Sequence, residues 1–212
     1  MCGSDTYHVH KAIICPQSEF FRAACRPNTF AEEKSGIIDI PVSSGRDEAF
    51  YAQPCKVEDF DWDLDVKTAT SVKLMIHYLY HRDYHVDEED PNLLGCLYSA
   101  TRRKGALIEH SRMYAMGEKY GIPGLKTVAC AKFHRLSWDI LNHAGLSAAI
   151  IVAYSTTPET DKGLRDEILR ALYVCRKRYS DEEEIQRIIS SIPKLSYGLF
   201  RRLLEREMAT QT

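Results

Sequence analysis

The chain has 212 residues, of which 44% are hydrophobic and 27% are charged, and its formal net charge is -2 at pH 7. These values are typical of a globular protein with room for one large domain, or for one domain and a helical extension. They argue against a nucleic-acid-binding chain, which is usually strongly basic, and no apolar run approaches the roughly 18 residues of a membrane helix.

The cysteines indicate a reducing compartment. There are seven of them, no pair has C-x-x-C spacing, and no apolar segment follows basic residues at the N-terminus as it would in a secretory signal. Free thiols in the cytoplasm or the nucleus are therefore expected.

The first 41 residues change their periodicity. Apolar and polar residues alternate over Thr6–His10, which predicts a short strand. The apolar residues then bunch on either side of Pro16, which predicts two short helices, the second with Ser18 as its N-cap. A second compact strand is predicted at Gly36–Pro41.

The middle of the chain alternates loops and helices. Residues 42–67 contain many acids and few periodic apolar positions, which predicts a long acidic surface loop. A helix with Thr70 or Ser71 as its N-cap follows, and then a short strand at Tyr84–Val86. Further on, a helix ends at Gly121 and another begins directly after it with a proline in its first turn.

In the last third of the chain, the spacing of apolar residues predicts helices throughout. Residues 144–154 form an apolar segment that predicts a buried helix, and Asp161 opens an amphipathic one. Ser180 and Glu183 are spaced as a capping box for the next helix. The apolar residues of the final helix are Leu199, Phe200, Leu203 and Leu204.

No catalytic or metal-binding pattern stands out. His77 and His81 share a helix face at the spacing of a zinc-protease helix, but Tyr78 occupies the place of its general base. Two peripheral imidazoles on a packed helix explain the pair better. The chain also lacks the glycine-rich phosphate-binding motifs and the G-x-S-x-G motif, so we predict no enzyme, no cofactor and no bound metal.

Several short motifs, taken in order, resemble the BTB/POZ domain, a protein–protein interaction fold, in the form common in filamentous fungi. The resemblance covers about Gly3 to Phe133 and implies an α+β fold, mostly α, in which helical hairpins flank a small sheet. The matching stretches are His10–Ile14, Ser18–Phe21, Ile38–Pro41, Leu74–Tyr80 and Ala115–Lys126.

The resemblance also implies a domain division and an oligomer. Residues 1–135 would form a BTB/POZ domain that lacks its first strand, as if truncated at the N-terminus, and residues 136–212 would form an all-helical extension. Well-studied members build a homodimer interface from the N-terminal segment and the first helix. The corresponding candidates are His10, Lys11, Phe20 and Phe21.

A cullin scaffold is the second partner that the resemblance suggests. Val86, Asp87 and Glu88 resemble the hydrophobic-x-acidic element with which many BTB domains engage a cullin, and Tyr84 lies beside them. The alternative is an acidic loop that caps the next helix, and the sequence leaves both open. The first hypothesis is thus a non-enzymatic adaptor of a cullin-type ubiquitin ligase, with substrate capture by the acidic loop or the C-terminal helices.

A rival hypothesis from another class is a transcription-associated regulator that contacts nucleic acid. It would use the short basic tracts Arg102–Lys104 and Arg176–Arg178. The near-neutral net charge and the lack of a DNA-reading motif count against it. A small-molecule enzyme ranks third, because the sequence reveals no cluster of titratable groups.

Overall fold

The structure is a computed structural model that describes residues 5–27, 35–43, 57–86, 99–137 and 143–210. Of these residues, 71% are helical and 2% have strand character. A single 3-10 turn, Val57–Asp59, accompanies the α-helices. The helices are α1 Lys11–Ile14, α2 Glu19–Ala24, α3 Trp62–Asp65, α4 Ala69–His81, α5 Ser99–Lys119, α6 Pro123–Ser137, α7 His143–Thr156, α8 Gly163–Val174, α9 Arg176–Tyr179, α10 Glu183–Ser191 and α11 Pro193–Thr210.

The predicted small sheet is wrong, and with it the α+β fold class of a BTB/POZ domain. Within the described residues, Ser43 and Thr68 form an isolated parallel β-bridge, and no sheet is built on it. The segments predicted as strands, Thr6–His10, Gly36–Pro41 and Tyr84–Val86, lie outside both helices and strands. A strand needs a neighbour for its ladder of hydrogen bonds. The alternation of apolar and polar residues indicates which side chains face the core, but it does not indicate whether a neighbouring strand is present.

Those three segments do bury the apolar side chains that suggested strands. Ile40, Tyr84 and Val86 are buried, and Tyr7 and Val9 pack partly buried against the same core. The alternating pattern therefore indicated burial correctly and pairing incorrectly.

Helix α5 lies at the centre of the molecule, with α6 and α7 packed along it. Helix α7 is buried on all sides from Gly145 to Ala153, as expected of a helix whose sequence is apolar all round. One buried hydrophobic cluster extends along the chain from Ile14 to Leu195. Residues on both sides of position 135 thus share a core.

The N-terminal helices dock on α4 and on the end of α5. Ser18 caps α2 as predicted, because its hydroxyl accepts a hydrogen bond from the backbone N–H of Phe21. The same buried hydroxyl donates to the carbonyl of Tyr120, 2.6 Å away. Gly121 follows in the left-handed conformation, with φ of 59°, which ends α5 as predicted.

The C-terminal helices form a second layer. Helix α8 packs against α6 and α7 on one side and against α11 on the other, while α10 packs against α7 and α11. Among the helices of the described residues, none is both long and apolar enough for a bilayer crossing.

Candidate interaction surface

The two candidate cullin-binding residues that the structure describes, Tyr84 and Val86, lie in the core. The Tyr84 hydroxyl lies 2.8 Å from Nδ1 of His110, and the ammonium of Lys132 lies 5.3 Å from the centre of its ring. Asp87 and Glu88 lie outside the described residues.

The predicted dimer candidates divide between surface and core. His10 and Lys11 are exposed, and the backbone N–H of His10 donates to the Tyr80 hydroxyl at 2.8 Å. Phe20 is partly exposed, whereas Phe21 is buried and packs with Tyr120. Three of these four candidates are thus accessible, and the homodimer interface that they suggest stays a prediction.

The histidine pair on α4 lies where the spacing placed it. The rings of His77 and His81 stack with their centroids 4.2 Å apart, and Nδ1 of His77 lies 3.0 Å from the carbonyl of Asp83. Within the described residues, no three side chains of His, Cys, Asp or Glu come together as metal ligands would.

A charged cluster joins α5, α6 and the start of α8. Asp161 accepts hydrogen bonds from the Tyr114 hydroxyl at 2.6 Å and from the Lys126 ammonium at 2.7 Å, and Lys126 also pairs with Glu118. Burial alone would raise the pKa of Asp161, but these two hydrogen bonds outweigh it and lower the pKa. Burial and the bond to Asp161 raise the pKa of Tyr114. These shifts favour a charged Asp161 and a neutral Tyr114, and the cluster links three helical segments. We call Tyr114, Glu118, Lys126 and Asp161 the Asp161 brace.

A groove of about 660 Å³ between α6 and α8 contains a cysteine, a histidine and a glutamate. Nδ1 of His134 lies 2.7 Å from the carboxylate of Glu167, which also accepts from Arg170. Cys130 lies one helical turn before His134. Burial, and then the nearby charge of Glu167, raise the pKa of Cys130 to about 11, so that the thiol is protonated at neutral pH and is not a ready nucleophile.

The two basic tracts lie on helices. Arg102–Lys104 belong to the first turns of α5 and Arg176–Arg178 to α9. The guanidinium of Arg176 stacks on the ring of Tyr173, 4.7 Å from its centre. Contact with nucleic acid through these tracts stays a prediction.

Helix α11 has two apolar faces. Its inner face packs on α8, where Leu195 is buried and Gly198 brings the backbones together, since a Cβ at that position would lie 2.9 Å from a terminal methyl of Leu169. Two arginines on this face reach back to α8: Arg202 donates to the carbonyl of Asp166, and Arg206 donates to the Tyr173 hydroxyl. These contacts hold the inner face against α8.

The outer face of α11 exposes large apolar side chains to solvent. Tyr197 is 63% exposed, Phe200 56% and Met208 72%, and Leu203 and Leu204 are each exposed by more than two fifths. Residues 197, 200, 204 and 208 recur every three or four positions, which aligns them along one side of a helix. We call the side chains of Tyr197, Phe200, Leu203, Leu204 and Met208 the outer face.

Charged side chains flank the outer face. Arg201 and Glu205 form an ion pair one turn apart, with an N–O distance of 2.9 Å and more than half of each side chain exposed. Glu207 is exposed on the opposite flank. An apolar strip bordered by charges is the usual anatomy of a protein–protein contact.

The sequence pattern assigned Leu199, Phe200, Leu203 and Leu204 to one final helix without dividing them between a packed face and an exposed face. The signal was nevertheless present, because Leu195 and Leu199 already complete one stripe at helical spacing, while Tyr197, Phe200 and Leu204 begin another. Apolar residues around most of a helix indicate burial on more than one side.

Comparison with known proteins identified no relatives. A scan against protein-family models found no match, and neither the curated proteins nor the solved structures contain a match.

Proposed function

We propose that this chain is a non-enzymatic protein-interaction module that binds another polypeptide through the outer face of α11. The observation that carries the proposal is the group of five large, exposed apolar side chains on α11, four of which align on the side opposite the face that packs on α8. The hydrogen bonds that hold Asp161 to Tyr114 and Lys126 also favour a structural role for that polar cluster.

The energetic argument rests on burial. Covering one large apolar side chain contributes about 1.5–3 kcal/mol relative to leaving it in water. A contiguous apolar patch of this kind is uncommon on an isolated protein and marks a binding site. An amphipathic helix presents such a strip to a groove or to another helix.

An adaptor role is compatible with this surface, although the surface differs from the one that the sequence suggested. Tyr84 and Val86 are buried, so they offer a partner no apolar contact without local rearrangement. The sequence suggested the C-terminal helices for substrate capture, and the last of them, α11, exposes the large apolar side chains of the outer face.

The test is to charge the outer face and compare the proteins bound in cells. Phe200→Glu with Leu204→Glu should remove the specific partners found by affinity purification with quantitative mass spectrometry. The matched control is Glu183→Ala with Arg187→Ala, which removes an exposed ion pair on α10. An unchanged set of partners in the charged variant, with folding verified by circular dichroism, would contradict the proposal.

A further inference from the structure

We infer that the occupant of the outer face is a second copy of this chain, with the two α11 helices packed antiparallel about a two-fold axis near Leu203. The inference rests on the proposed function and names its partner. It is distinct from an interface at His10, Lys11 and Phe20, which lie at the other end of the chain. The contacts of α11 supply three arguments.

The first argument is the apolar register. When α11 is turned end for end about a point near Leu203, its exposed pattern maps onto itself. Tyr197 then lies within one residue, or about 1.5 Å along the axis, of Met208 of the second copy, and Phe200 lies within two residues, or about 3 Å, of Leu204. Each large ring thus faces a flexible or branched aliphatic side chain rather than another large ring.

The second argument is the charge pattern in that same register. A two-fold axis across an antiparallel pair brings the same flank of both helices together, so that Arg201 of one copy lies level with Glu205 of the other. The pairing occurs twice, once on each side of the axis. A parallel pair would bring the flank of Glu205 against the flank of Glu207, two carboxylates.

The third argument is area. A large apolar side chain offers on the order of 200 Å², and the exposed fractions of the five outer-face residues lie between 41% and 72%. The outer face therefore exposes on the order of 500 Å² per copy, and two copies would bury about the 1,000 Å² that a specific interface requires. A self-complementary strip of this size fits an isologous dimer.

The inference is tested by reversing the flank charges separately and then mixing the products. Arg201→Glu and Glu205→Arg each place like charges at both paired positions, and should each raise the dissociation constant of the homodimer about tenfold, which corresponds to about 1.4 kcal/mol. Mixing the two variants restores opposite charges at both positions, so a heterodimer should form with about the wild-type affinity. Native mass spectrometry distinguishes the species by mass.

This design separates contacts between copies from contacts within one helix. Each reversal also breaks the Arg201–Glu205 pair inside α11, and mixing cannot repair that loss. If both variants dimerise as tightly as the wild type, or if the mixture gives no heterodimer, the inference is overturned.

Cysteine cross-linking tests the register independently. Leu204→Cys should give a disulfide-linked dimer under mild oxidation, because Leu204 lies on the interface side of α11 and its two copies are only about 3 Å apart along the helices. Tyr197→Cys should not, because its two copies would lie about 18 Å apart along the helices, beyond the Cα separation of about 7 Å that a disulfide tolerates. The wild type gives the background from the native cysteines. Cross-linking of Tyr197→Cys alone would contradict the antiparallel arrangement.

The inference and the proposed function can fail separately. A wild-type chain that stays monomeric at all concentrations overturns the second copy as occupant. If the Phe200→Glu, Leu204→Glu variant nevertheless loses its cellular partners, the proposed function stands with a different partner. If it loses none, both fail.

Discussion

At the scale of single residues, two polar side chains hold distant parts of the chain together. The Ser18 hydroxyl caps α2 and also donates to the carbonyl of Tyr120 at the end of α5. Asp161 joins Tyr114 on α5 to Lys126 on α6. Capping at Ser18 could be predicted from local sequence. The bond to Tyr120 and the Asp161 brace could not, because they depend on how helices far apart in sequence are packed.

We expect Ser18→Ala to destabilise the fold by about 1–3 kcal/mol. The substitution removes an N-cap and the 2.6 Å hydrogen bond to the Tyr120 carbonyl, which keeps a longer one from the Phe20 N–H. Urea denaturation followed by circular dichroism measures the change. Ser190→Ala is the control, because Ser190 is exposed and bonds only within its own helix. Equal midpoints for the two variants would show that the Ser18 bridge contributes nothing.

Asp161→Asn should destabilise the protein in a pH-dependent way. The folded-state pKa of Asp161 is lowered, so its contribution is fully present above the unfolded pKa of about 3.9 and is lost as the pH falls through the folded value. The difference in unfolding free energy between wild type and variant should be about 1–3 kcal/mol at pH 7. It should shrink as the pH falls below about 4. A difference that is constant between pH 7 and pH 3 would contradict this account.

At the scale of elements, the spacing of apolar residues predicted helices well, whereas their alternation predicted strands poorly. The helices α4, α6, α8 and α10 appear where the apolar spacing placed them. Their first residues were less predictable: Thr68, and not Thr70 or Ser71, caps α4, and α10 begins at Glu183 without the predicted capping box. A helix satisfies its own backbone, whereas a strand depends on a partner segment that local sequence does not specify.

Gly198 sets the approach of α11 to α8 and supplies a prediction at this scale. Gly198→Ala should cost little, because the two methyl groups of Leu169 that it meets at 2.9 and 3.0 Å lie at the end of a flexible side chain that can shift, and alanine favours a helix by about 1 kcal/mol. Gly198→Val adds two methyl groups at the same contact and should destabilise by about 1–3 kcal/mol. Thermal unfolding of the two variants checks the order. A valine variant as stable as the alanine variant would refute the close packing.

At the scale of the whole molecule, the central point is the continuity of the core. The hydrophobic cluster from Ile14 to Leu195 includes residues on both sides of the domain boundary predicted near residue 135. Composition and charge correctly suggested a globular chain, but the boundary came from the resemblance to BTB/POZ domains, and the expected sheet is not present in the described residues. Motifs of a few residues record local packing and do not by themselves specify a topology.

The shared core predicts that residues 1–135 do not fold by themselves. Removing α7 would expose the side of α5 that packs against it. We expect the fragment to unfold without a cooperative transition in urea, while the whole chain unfolds in one step. A sharp transition in the fragment would instead support an autonomous domain.

The most direct test of the central claim is the solution mass of the chain, measured by light scattering over a range of concentrations. With α11 as a self-association surface, the wild type should approach twice its monomer mass of 24.3 kDa. The Phe200→Glu, Leu204→Glu variant should remain at the monomer mass with unchanged helix content. A monomeric wild type, or a dimer that survives both substitutions, would contradict self-association through this face of α11.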